Sequence, residues 1–346
     1  MDRRTFVAGA MTAAMTGAAS GAKPESSAKF GVDLFSIRSS GWSPFEYLDY
    51  CAKWKADVVH FSEVRFLGSL EDAHVRKVGE YAKKLGVELE IGMTSICPSS
   101  GRFNADQGTA EEQMSRVIRA ANIAGSGIVR AYLGTMADRK GPIPIEGHIE
   151  NTAKALRNVR RQAMDAGVKF AIENHAGDMQ GRELKMLIEE AGKDFVGACV
   201  DSGNPLWTIE DPHVTLDILA PYAVTSHIRG SRVWRTGKGA AVRWVRTGEG
   251  NVGIDDWIRK FVKLCPGLAV TQEVIVTGPR EFNFLEPSFW EGYENVPAWQ
   301  FSRFLALVEK GEPDTGYQGP SKEERPQRER EDLEASMRHV KQVLGV

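Results

Sequence analysis

Four apolar runs in the middle of the chain each end in a side chain that can bind a metal ion or carry a proton. The end residues are Glu173, Asp201, His227 and Glu273. Three carboxylates with one imidazole form an oxygen-rich donor set that suits Mn²⁺ or Mg²⁺, with Co²⁺, Fe²⁺ and Zn²⁺ as alternatives. Carboxylates that lie within a few ångströms of each other repel unless a cation lies between them. The residue types therefore predict one divalent metal ion, provided that the four runs end at the same place.

The elements that carry these residues alternate between strand-like and helical runs from Lys29 onward, which is typical of parallel β-α-β units. Eight such units are present, and the first strand lacks the Gly-x-Gly-x-x-Gly turn of a dinucleotide-binding sheet. In a closed barrel the carboxyl ends of all strands meet at one mouth, where barrel enzymes carry their active sites. We therefore predict a single (β/α)8 TIM barrel with the four residues at its mouth.

Capping residues, prolines and glycines mark the ends of the predicted helices. The expected helices are Ser43 to Lys55, Ser69 to Leu85, Thr109 to Ala124, Gly147 to Ala166, Gly181 to Ala191, Pro212 to Leu219, Ile254 to Leu264 and Ala298 to Glu309. The last of these is expected to complete the eighth unit.

The chain divides into three predicted segments. Residues 1–28 are expected to be an export signal, residues 29–311 the barrel, and residues 312–346 a C-terminal extension. Within the extension, a polar stretch to Arg330 reads as a solvated linker. A terminal helix from Glu331 to Leu344 is then expected to pack on the barrel or on a second subunit.

The amino terminus has the three parts of an export signal. Arg3 and Arg4 precede a weakly apolar stretch that ends in small residues at Ser20 to Ala22, and the arginine pair resembles the twin-arginine class. The apolar stretch is too short and too rich in glycine to stay in a bilayer, and no cysteine follows it to carry a lipid. We expect a cleaved signal and a periplasmic or otherwise exported protein without a stable membrane anchor.

Overall composition excludes several classes of function. A formal net charge of −2 gives no reason to expect a nucleic acid as partner. The four cysteines, at positions 51, 97, 199 and 265, lack Cys-x-x-Cys spacing, so we expect buried thiols and not a zinc knuckle or a disulfide framework.

Five short motifs resemble the sugar phosphate isomerase/epimerase family, which has a xylose isomerase-like barrel. They are Ile172-Glu-Asn-His175, Val200-Asp-Ser-Gly-Asn204, Ser226-His-Ile-Arg229, Gly248-Glu-Gly-Asn-Val252 and Gln272-Glu273. The resemblance covers roughly residues 30 to 310. It implies that Glu173, Asp201, His227 and Glu273 bind one divalent ion, which holds adjacent oxygens of a hydroxy-ketone substrate.

The chemistry of such a site agrees with this implication. Removing a proton next to a carbonyl requires stabilisation of an enediolate, which a divalent ion provides as a Lewis acid. Carboxylates on both faces of the substrate carbon, here Glu173 and Glu273, allow a proton to leave on one side and return on the other. The predicted substrate is a small carbohydrate, namely a keto-sugar, a glycoside or a polyol. The sequence leaves open which glutamate is the base.

Further substrate contacts are predicted near these strand ends. Asn204 stands where many epimerases of the family have a histidine, and an amide cannot shuttle a proton at neutral pH. His175 is expected to supply an acid, a base or a substrate contact, and Arg229 to contact the substrate or a metal ligand. His60, at the end of the second strand, is a further candidate. The alternatives are a loop hydrogen bond for His175, surface charge for Arg229 and a barrel-core histidine for His60.

A long loop after the seventh strand, from Arg229 to Gly253, is expected on the same face. It contains several arginines and two tryptophans, of which Trp234 is the candidate for packing against a sugar ring. The alternative is a solvated, mobile lid. Because an exported protein would seldom meet a sugar phosphate, we favour a neutral or oxidised sugar.

Two other functions remain open from the sequence. The same site would also serve a lyase or dehydratase of keto-sugars or glycosides, in which the glutamates expel a leaving group from the adjacent carbon. A non-catalytic sugar-binding protein is disfavoured, because it has no need of two facing glutamates. A homo-oligomer is expected only by analogy with other barrels of the family.

Overall fold

Eight parallel strands form the barrel in the computed structural model, which describes residues 28–314 and 316–346. The strands are β1 (Lys29–Asp33), β2 (Val58–Phe61), β3 (Glu88–Ser95), β4 (Ile128–Tyr132), β5 (Lys169–Glu173), β6 (Val196–Asp201), β7 (Ala223–His227) and β10 (Ala269–Gln272). Their order is β10-β1-β2-β3-β4-β5-β6-β7, and a bridge between Ile228 and Gln272 joins the two ends. The predicted barrel is confirmed. The predicted export signal lies outside the described residues.

Strand β4 shows how the sequence sets the two faces of the barrel wall. Val129 and Ala131 have no exposed surface and pack outward into the apolar core beneath the helices. Arg130, between them, contacts Glu173 of the neighbouring strand instead. Successive side chains of a strand point to opposite faces, so this alternation places the polar residues inside the barrel, below its mouth.

Ten helices of the described residues surround or flank the barrel. They are α1 (Pro44–Lys53), α2 (Val64–Leu67), α3 (Asp72–Leu85), α4 (Ala110–Ala124), α5 (Ile145–Asp165), α6 (Gly181–Ala191), α7 (Pro212–Leu219), α8 (Ile254–Leu264), α9 (Ala298–Val308) and α10 (Arg325–Leu344). Capping boxes at Ser43 and Thr109 begin α1 and α4 as the sequence predicts. None of the helices in the described part of the chain is long and apolar enough to cross a membrane.

The eighth helix of the barrel is α10 and not α9. Leu333, Met337 and Val340 of α10 are fully buried in the main core, and α10 packs against α8 and β10. By contrast, Phe304 and Val308 of α9 belong to a separate apolar cluster at the rim. The helix begins at Arg325, so the polar stretch before it is shorter than the sequence suggested.

The long loop after β7 is an ordered hairpin. Strands β8 (Gly230–Thr236) and β9 (Gly239–Val245) pair antiparallel, and β11 (Arg280–Phe282) extends them to a three-stranded sheet at the rim. The hairpin and α9 share the rim cluster, which includes Val233, Val242 and Phe282. A mobile lid was the alternative for this loop, and the structure shows a packed sheet instead.

All four cysteines are free and buried, as their spacing predicted. They carry no disulfide.

Candidate metal centre and active site

The four predicted metal ligands meet at the mouth of the barrel. Glu173, Asp201 and His227 end β5, β6 and β7, and Glu273 directly follows β10. One ligand atom from each residue lies within 4.8 Å of those of the others. All four side chains are buried, and Glu273 is the most exposed of them at 5%. The barrel therefore gathers residues that are far apart in the sequence into one cluster.

His227 lies between the two glutamates. Its Nδ1 is 3.3 Å from an oxygen of Glu173 and 3.2 Å from one of Glu273, and it forms no hydrogen bond. Adjacent ligands of one small divalent ion, each bound at about 2.1 Å, lie about 3 Å apart. Burial alone lowers the pKa of His227, but the neighbouring acidic groups raise it well above its ordinary value, so its imidazole is ion-paired with both glutamates. The spacing and the donor set of three carboxylates and one histidine fit an ion that would take the place of this proton.

Two buried arginines also contact the cluster. The Arg130 guanidinium binds Glu173, and the Nη2 of Arg229 binds both Asp201 and Glu273. The two arginines therefore already reduce the mutual repulsion of the carboxylates. This repulsion was one of our reasons to predict a metal ion. The donor set still fits an ion, but Arg229 contacts two of the four proposed ligands and would compete with an ion for their oxygens.

The arginines also keep the two glutamates ionised. Burial alone raises the pKa of Glu173, but Arg130 and His227 together hold it well below the ordinary value. Burial likewise raises the pKa of Glu273, while Arg229 and His227 bring it below its ordinary value. Both side chains are therefore carboxylates at neutral pH, ready to bind a cation or to accept a proton.

Two asparagines hold the acidic side chains of this cluster in place. The Asn174 side chain exchanges hydrogen bonds of 3.0 and 2.9 Å with the backbone of Asp201. Asn204 donates from Nδ2 to Glu173 Oε1 at 2.9 Å, and its backbone N–H donates to Asp201 Oδ1 at 2.6 Å. Asn204 was predicted as a substrate contact, and the structure shows that it already positions two metal-ligand candidates.

A second polar layer lies beneath the centre. The Nδ1 of His60 is 2.7 Å from the Nε2 of His227, and the Asp33 carboxylate is 3.3 Å from the same Nε2. Burial raises the pKa of Asp33 and of Glu90, another member of this layer, to about 7. His60 has no exposed surface. His60 thus supports His227 from inside the barrel, which was the alternative for this residue, and its role as a substrate contact stays a prediction.

His175 is fixed by its surroundings. Its ring stacks on Tyr132 with centroids 3.9 Å apart, and its Nδ1 is 2.9 Å from the carbonyl oxygen of Gly134. Burial lowers the pKa of His175 to about 4, so its imidazole is neutral at physiological pH. The loop hydrogen bond, one of the two alternatives for this residue, is thus present.

Trp244, and not Trp234, faces the centre. Both tryptophans are buried, but the Arg229 guanidinium lies 4.6 Å above the Trp244 ring, and no such contact with Trp234 is found among the described residues. The loop's other basic residues are engaged with nearby acids or carbonyls, for example Arg243 with Asp314. They are therefore not a free cluster for a phosphate.

Three residues of the site were missed by the sequence reading. Arg130 could have been found from the sequence, because it is a charged residue within the apolar run Ile128-Val-Arg-Ala-Tyr132. Asp33 likewise ends the first strand, as the proposed ligands end theirs. Glu90 sits in an alternating run, Val87-Glu-Leu-Glu-Ile91, where the pattern alone does not distinguish the barrel interior from solvent.

Comparisons with known proteins give the family and the fold. A family model described as the xylose isomerase-like TIM barrel matches residues 48–286, more than half of the chain. A curated relative, 3-oxo-isoapionate decarboxylase of Pectobacterium atrosepticum, is 20% identical over 182 residues. This alignment covers 53% of this chain and 58% of the relative.

Solved structures of two other proteins are similar in fold. D-psicose 3-epimerase of Clostridium cellulolyticum H10, solved with D-tagatose, has 12% identity and a TM-score of 0.57, covering 81% of this chain and 99% of its own. The IOLI protein, solved with a zinc atom, has 14% identity and a TM-score of 0.59, covering 91% and 98%. At these identities the likeness is one of fold alone. The family match over residues 48–286 shows that the chain belongs to the xylose isomerase-like TIM barrel family.

Proposed function

We propose that this protein is a divalent-metal-dependent isomerase or epimerase of a carbohydrate. The observation that carries the proposal is the pair of ionised glutamates on either side of His227, within reach of one ion. Proton transfer at a carbon next to a carbonyl needs a base, an acid and stabilisation of the enediolate oxygens. The sugar substrate of the structurally similar epimerase agrees with this class of reaction.

Glu173, Asp201, His227 and Glu273 are the proposed ligands of the ion. Mn²⁺ is our first choice, with Mg²⁺, Co²⁺, Fe²⁺ and Zn²⁺ as alternatives, and the zinc atom in the IOLI structure supports a divalent ion in this fold. When bound, the ion supplies Lewis acidity that stabilises negative charge on substrate oxygens.

Glu273 is the better candidate for the base. Among the described residues, Glu173 is held on both oxygens, by Asn204 on Oε1 and by Arg130 on Oε2. The contacts of Glu273 fall on Oε2, and the side chain is more exposed than that of Glu173. Glu273 therefore has an oxygen available to take a proton from substrate carbon, with Glu173 returning a proton on the other face.

Arg229 and Asn204 are the proposed substrate contacts. Once Arg229 releases Asp201 and Glu273, its guanidinium can donate to a substrate oxygen or carboxylate. The Oδ1 of Asn204 is buried without a hydrogen-bond partner, so it can accept from a substrate hydroxyl. A neutral or oxidised sugar suits these groups.

A lyase is the second candidate function. Asn204 cannot move a proton onto a hydroxyl as a histidine can, which disfavours a shuttle between neighbouring oxygens. The curated relative is a decarboxylase, so the proteins similar to this chain include one that breaks a bond in its substrate. In the lyase reaction the same base would form the enolate, and a leaving group would depart from the carbon next to the deprotonated one.

Hydrogen exchange tests the proposal. With Mn²⁺ present, keto-sugars and keto-glycosides in deuterated water are expected to gain deuterium next to the carbonyl, as measured by NMR. Glu273→Gln and Glu173→Gln are expected to lower the exchange rate by about 10²-fold or more, while Glu80→Gln on the exposed face of α3 leaves it unchanged. Elimination products would select the lyase. Full exchange in both site variants would refute the assigned roles.

We also propose that the protein is exported through its amino-terminal signal. A reporter enzyme fused after residue 28 is expected to reach the periplasm, and Arg3→Lys with Arg4→Lys is expected to block its export. Export that persists in the double variant would refute the twin-arginine assignment.

A further inference from the structure

A cavity of about 620 Å³ opens at the rim of the barrel. Its lining includes Arg102, Thr135, Ala176, Trp207, Phe282 and Phe289, and we call it the rim cavity. These residues lie in the segments that follow β3, β4, β5, β6 and β10. The rim cavity is therefore on the same face of the barrel as the metal centre.

A stack of aromatic rings and guanidinium groups connects the cavity to the centre. The rings of Trp207 and Trp244 lie parallel, 4.4 Å apart. The Arg280 guanidinium lies 4.4 Å from the Trp207 ring and the Arg229 guanidinium 4.6 Å from the Trp244 ring. Trp207 lines the rim cavity, while Arg229 contacts the metal-ligand candidates. The two sites thus share one wall.

Polar atoms along this wall have no partner among the described residues. They are the Nε1 of Trp207, the Nε1 of Trp244, the Nε and Nη1 of Arg229, and the Oδ1 of Asn204. Buried polar groups nearly always have a hydrogen-bond partner. Several such atoms without a partner in one wall therefore indicate a ligand-binding site. Because most of these atoms are donors, the matching ligand portion is rich in oxygen.

The rim cavity itself has a different chemistry. Most of its exposed lining is apolar, with Phe282, Phe289 and Tyr293 among its walls. Three basic residues and two acidic ones also line it: Arg102, Lys140, Arg280, Glu281 and Glu286. Neither Arg102 nor Arg280 has a carboxylate within 4 Å among the described residues. Of the two lining carboxylates, Glu286 is already paired with Lys238 at 2.7 Å, so the three basic side chains outnumber the remaining Glu281. A flat apolar group with a negative substituent complements such a lining.

The backbone beside the cavity is strained. Three non-glycine residues of the described chain have a positive φ, and Ala176 (32°) and Ile209 (55°) lie in the loops after β5 and β6 that form this wall. Such conformations cost energy and concentrate at ligand sites. Their position agrees with a wall that is shaped for binding.

We propose that the substrate has two parts: a carbohydrate that binds at the metal centre and an aromatic group with a carboxylate that occupies the rim cavity. The chemical class is an acidic aryl glycoside. This inference rests on the proposed function for its carbohydrate part, whereas the aromatic part rests on the cavity alone.

Binding of small aromatic probes tests the cavity without any turnover. By NMR titration, 4-methoxybenzoate is expected to bind about tenfold more tightly than neutral 4-methoxybenzyl alcohol, because it gains a charge-assisted hydrogen bond. Arg102→Gln is expected to reduce this difference, and the double variant Arg102→Gln with Arg280→Gln to remove it. Phe289→Ala is expected to weaken both probes about fivefold or more through loss of an aromatic contact. Arg161→Gln and Trp299→Ala, exposed elsewhere, serve as matched controls.

The distance of the bound probe from the metal ion tests whether the rim cavity adjoins the metal centre. When the protein holds bound Mn²⁺, the proton lines of 4-methoxybenzoate are expected to broaden strongly, and Mg²⁺ is the diamagnetic control. Equal affinity of the two probes, no binding of either, or effects of the controls as large as those of Arg102→Gln and Phe289→Ala would overturn the proposal. So would sharp lines beside bound Mn²⁺. Failure of hydrogen exchange with unchanged probe binding would instead refute the proposed function.

Discussion

At the scale of single residues, the most consequential feature is the cationic side chain within the metal-ligand set. Arg229 contacts Asp201 and Glu273, so it reduces their repulsion and would compete with an ion for the same oxygens. The same guanidinium lies beside Trp244 and the shared wall, where the substrate is expected. One residue would then link metal loading to substrate binding.

Removing this competitor is predicted to tighten metal binding. In Arg229→Gln the dissociation constant of Mn²⁺ is expected to fall about tenfold, because two ligands lose a charged hydrogen-bond donor and the net negative charge of the site rises. Isothermal titration with Mn²⁺ measures the effect, and Arg161→Gln is the exposed control. Weaker binding in Arg229→Gln would show that the arginine orients the ligands and does not compete.

Glu210 is a buried carboxyl away from the metal-ligand set. Its Oε2 accepts from the backbone N–H of Gly181 at 2.9 Å and from Thr215 Oγ1 at 3.1 Å, but its Oε1 has no partner. Burial raises the pKa of Glu210 from 4.5 to about 7. The folded state therefore holds this proton more tightly than the unfolded state does.

From this shift follows a predicted pH dependence of stability. Between pH 4.5 and about 7 the folded chain binds more protons at Glu210 than the unfolded chain, so the contribution of this residue to the unfolding free energy falls as pH rises. It is complete below pH 4.5 and lost above about 7. In Glu210→Gln this part of the slope is expected to vanish, as measured by urea unfolding from pH 5 to 8. An unchanged slope, equal to that of Glu80→Gln, would contradict the assignment.

At the scale of elements, the β8–β9 hairpin determines what faces the candidate metal centre. It carries Trp244 against Arg229, and the loop after β6 approaches both residues closely at Gly203. A Cβ atom at Gly203 would lie 2.5 Å from Arg229 side-chain carbons and 2.9 Å from the Nε1 of Trp244. Only a residue without a side chain allows this approach.

A methyl group at this point is predicted to disturb the site without removing any functional group. Gly203→Ala is expected to lower hydrogen-exchange activity about 10²-fold, since small displacements of positioning groups have effects of this order. Gly237→Ala, in the turn of the same hairpin, meets no atom within 4 Å and is the matched control. Equal activity of the two variants would mean that the position of Arg229 and Trp244 is unimportant.

At the scale of the whole molecule, the C-terminal helix completes the barrel. Helix α10 occupies the place next to α8 and β10 and buries Met337 completely. It also reaches the functional face, because Arg246 of the loop after β9 pairs with Asp332 at 2.7 Å. The last part of the chain thus holds both the barrel wall and the rim in place.

Truncation of a buried α10 side chain is therefore predicted to destabilise the entire barrel. Met337→Ala is expected to lower the unfolding free energy by about 2–5 kcal/mol, the usual range for a buried methionine. Met164→Ala on α5, where the side chain is 47% exposed, is expected to change it by less than about 0.5 kcal/mol. Denaturant unfolding measures both. Similar denaturant midpoints for the two variants would mean that α10 does not contribute to the stability of the barrel.

Local patterns along the chain predicted much of this architecture. Alternating apolar strands, capping boxes at Ser43 and Thr109, and helix-ending glycines such as Gly86 act within a few residues, so they can be read directly. Local patterns could not predict which helix is the eighth helix of the barrel. Both α9 and α10 have an apolar stripe, and only contacts with distant elements decide which of them covers the barrel.

The sequence by itself determined the barrel and the four residues at its strand ends, because chain direction alone brings the ends of parallel strands to one mouth. Only the tertiary structure decided that Arg130 and Arg229 neutralise those residues, that His60 lies beneath them, and that Trp244 faces them. These relations join residues on different strands and loops. Their distances depend on how the whole chain packs, which no local pattern records.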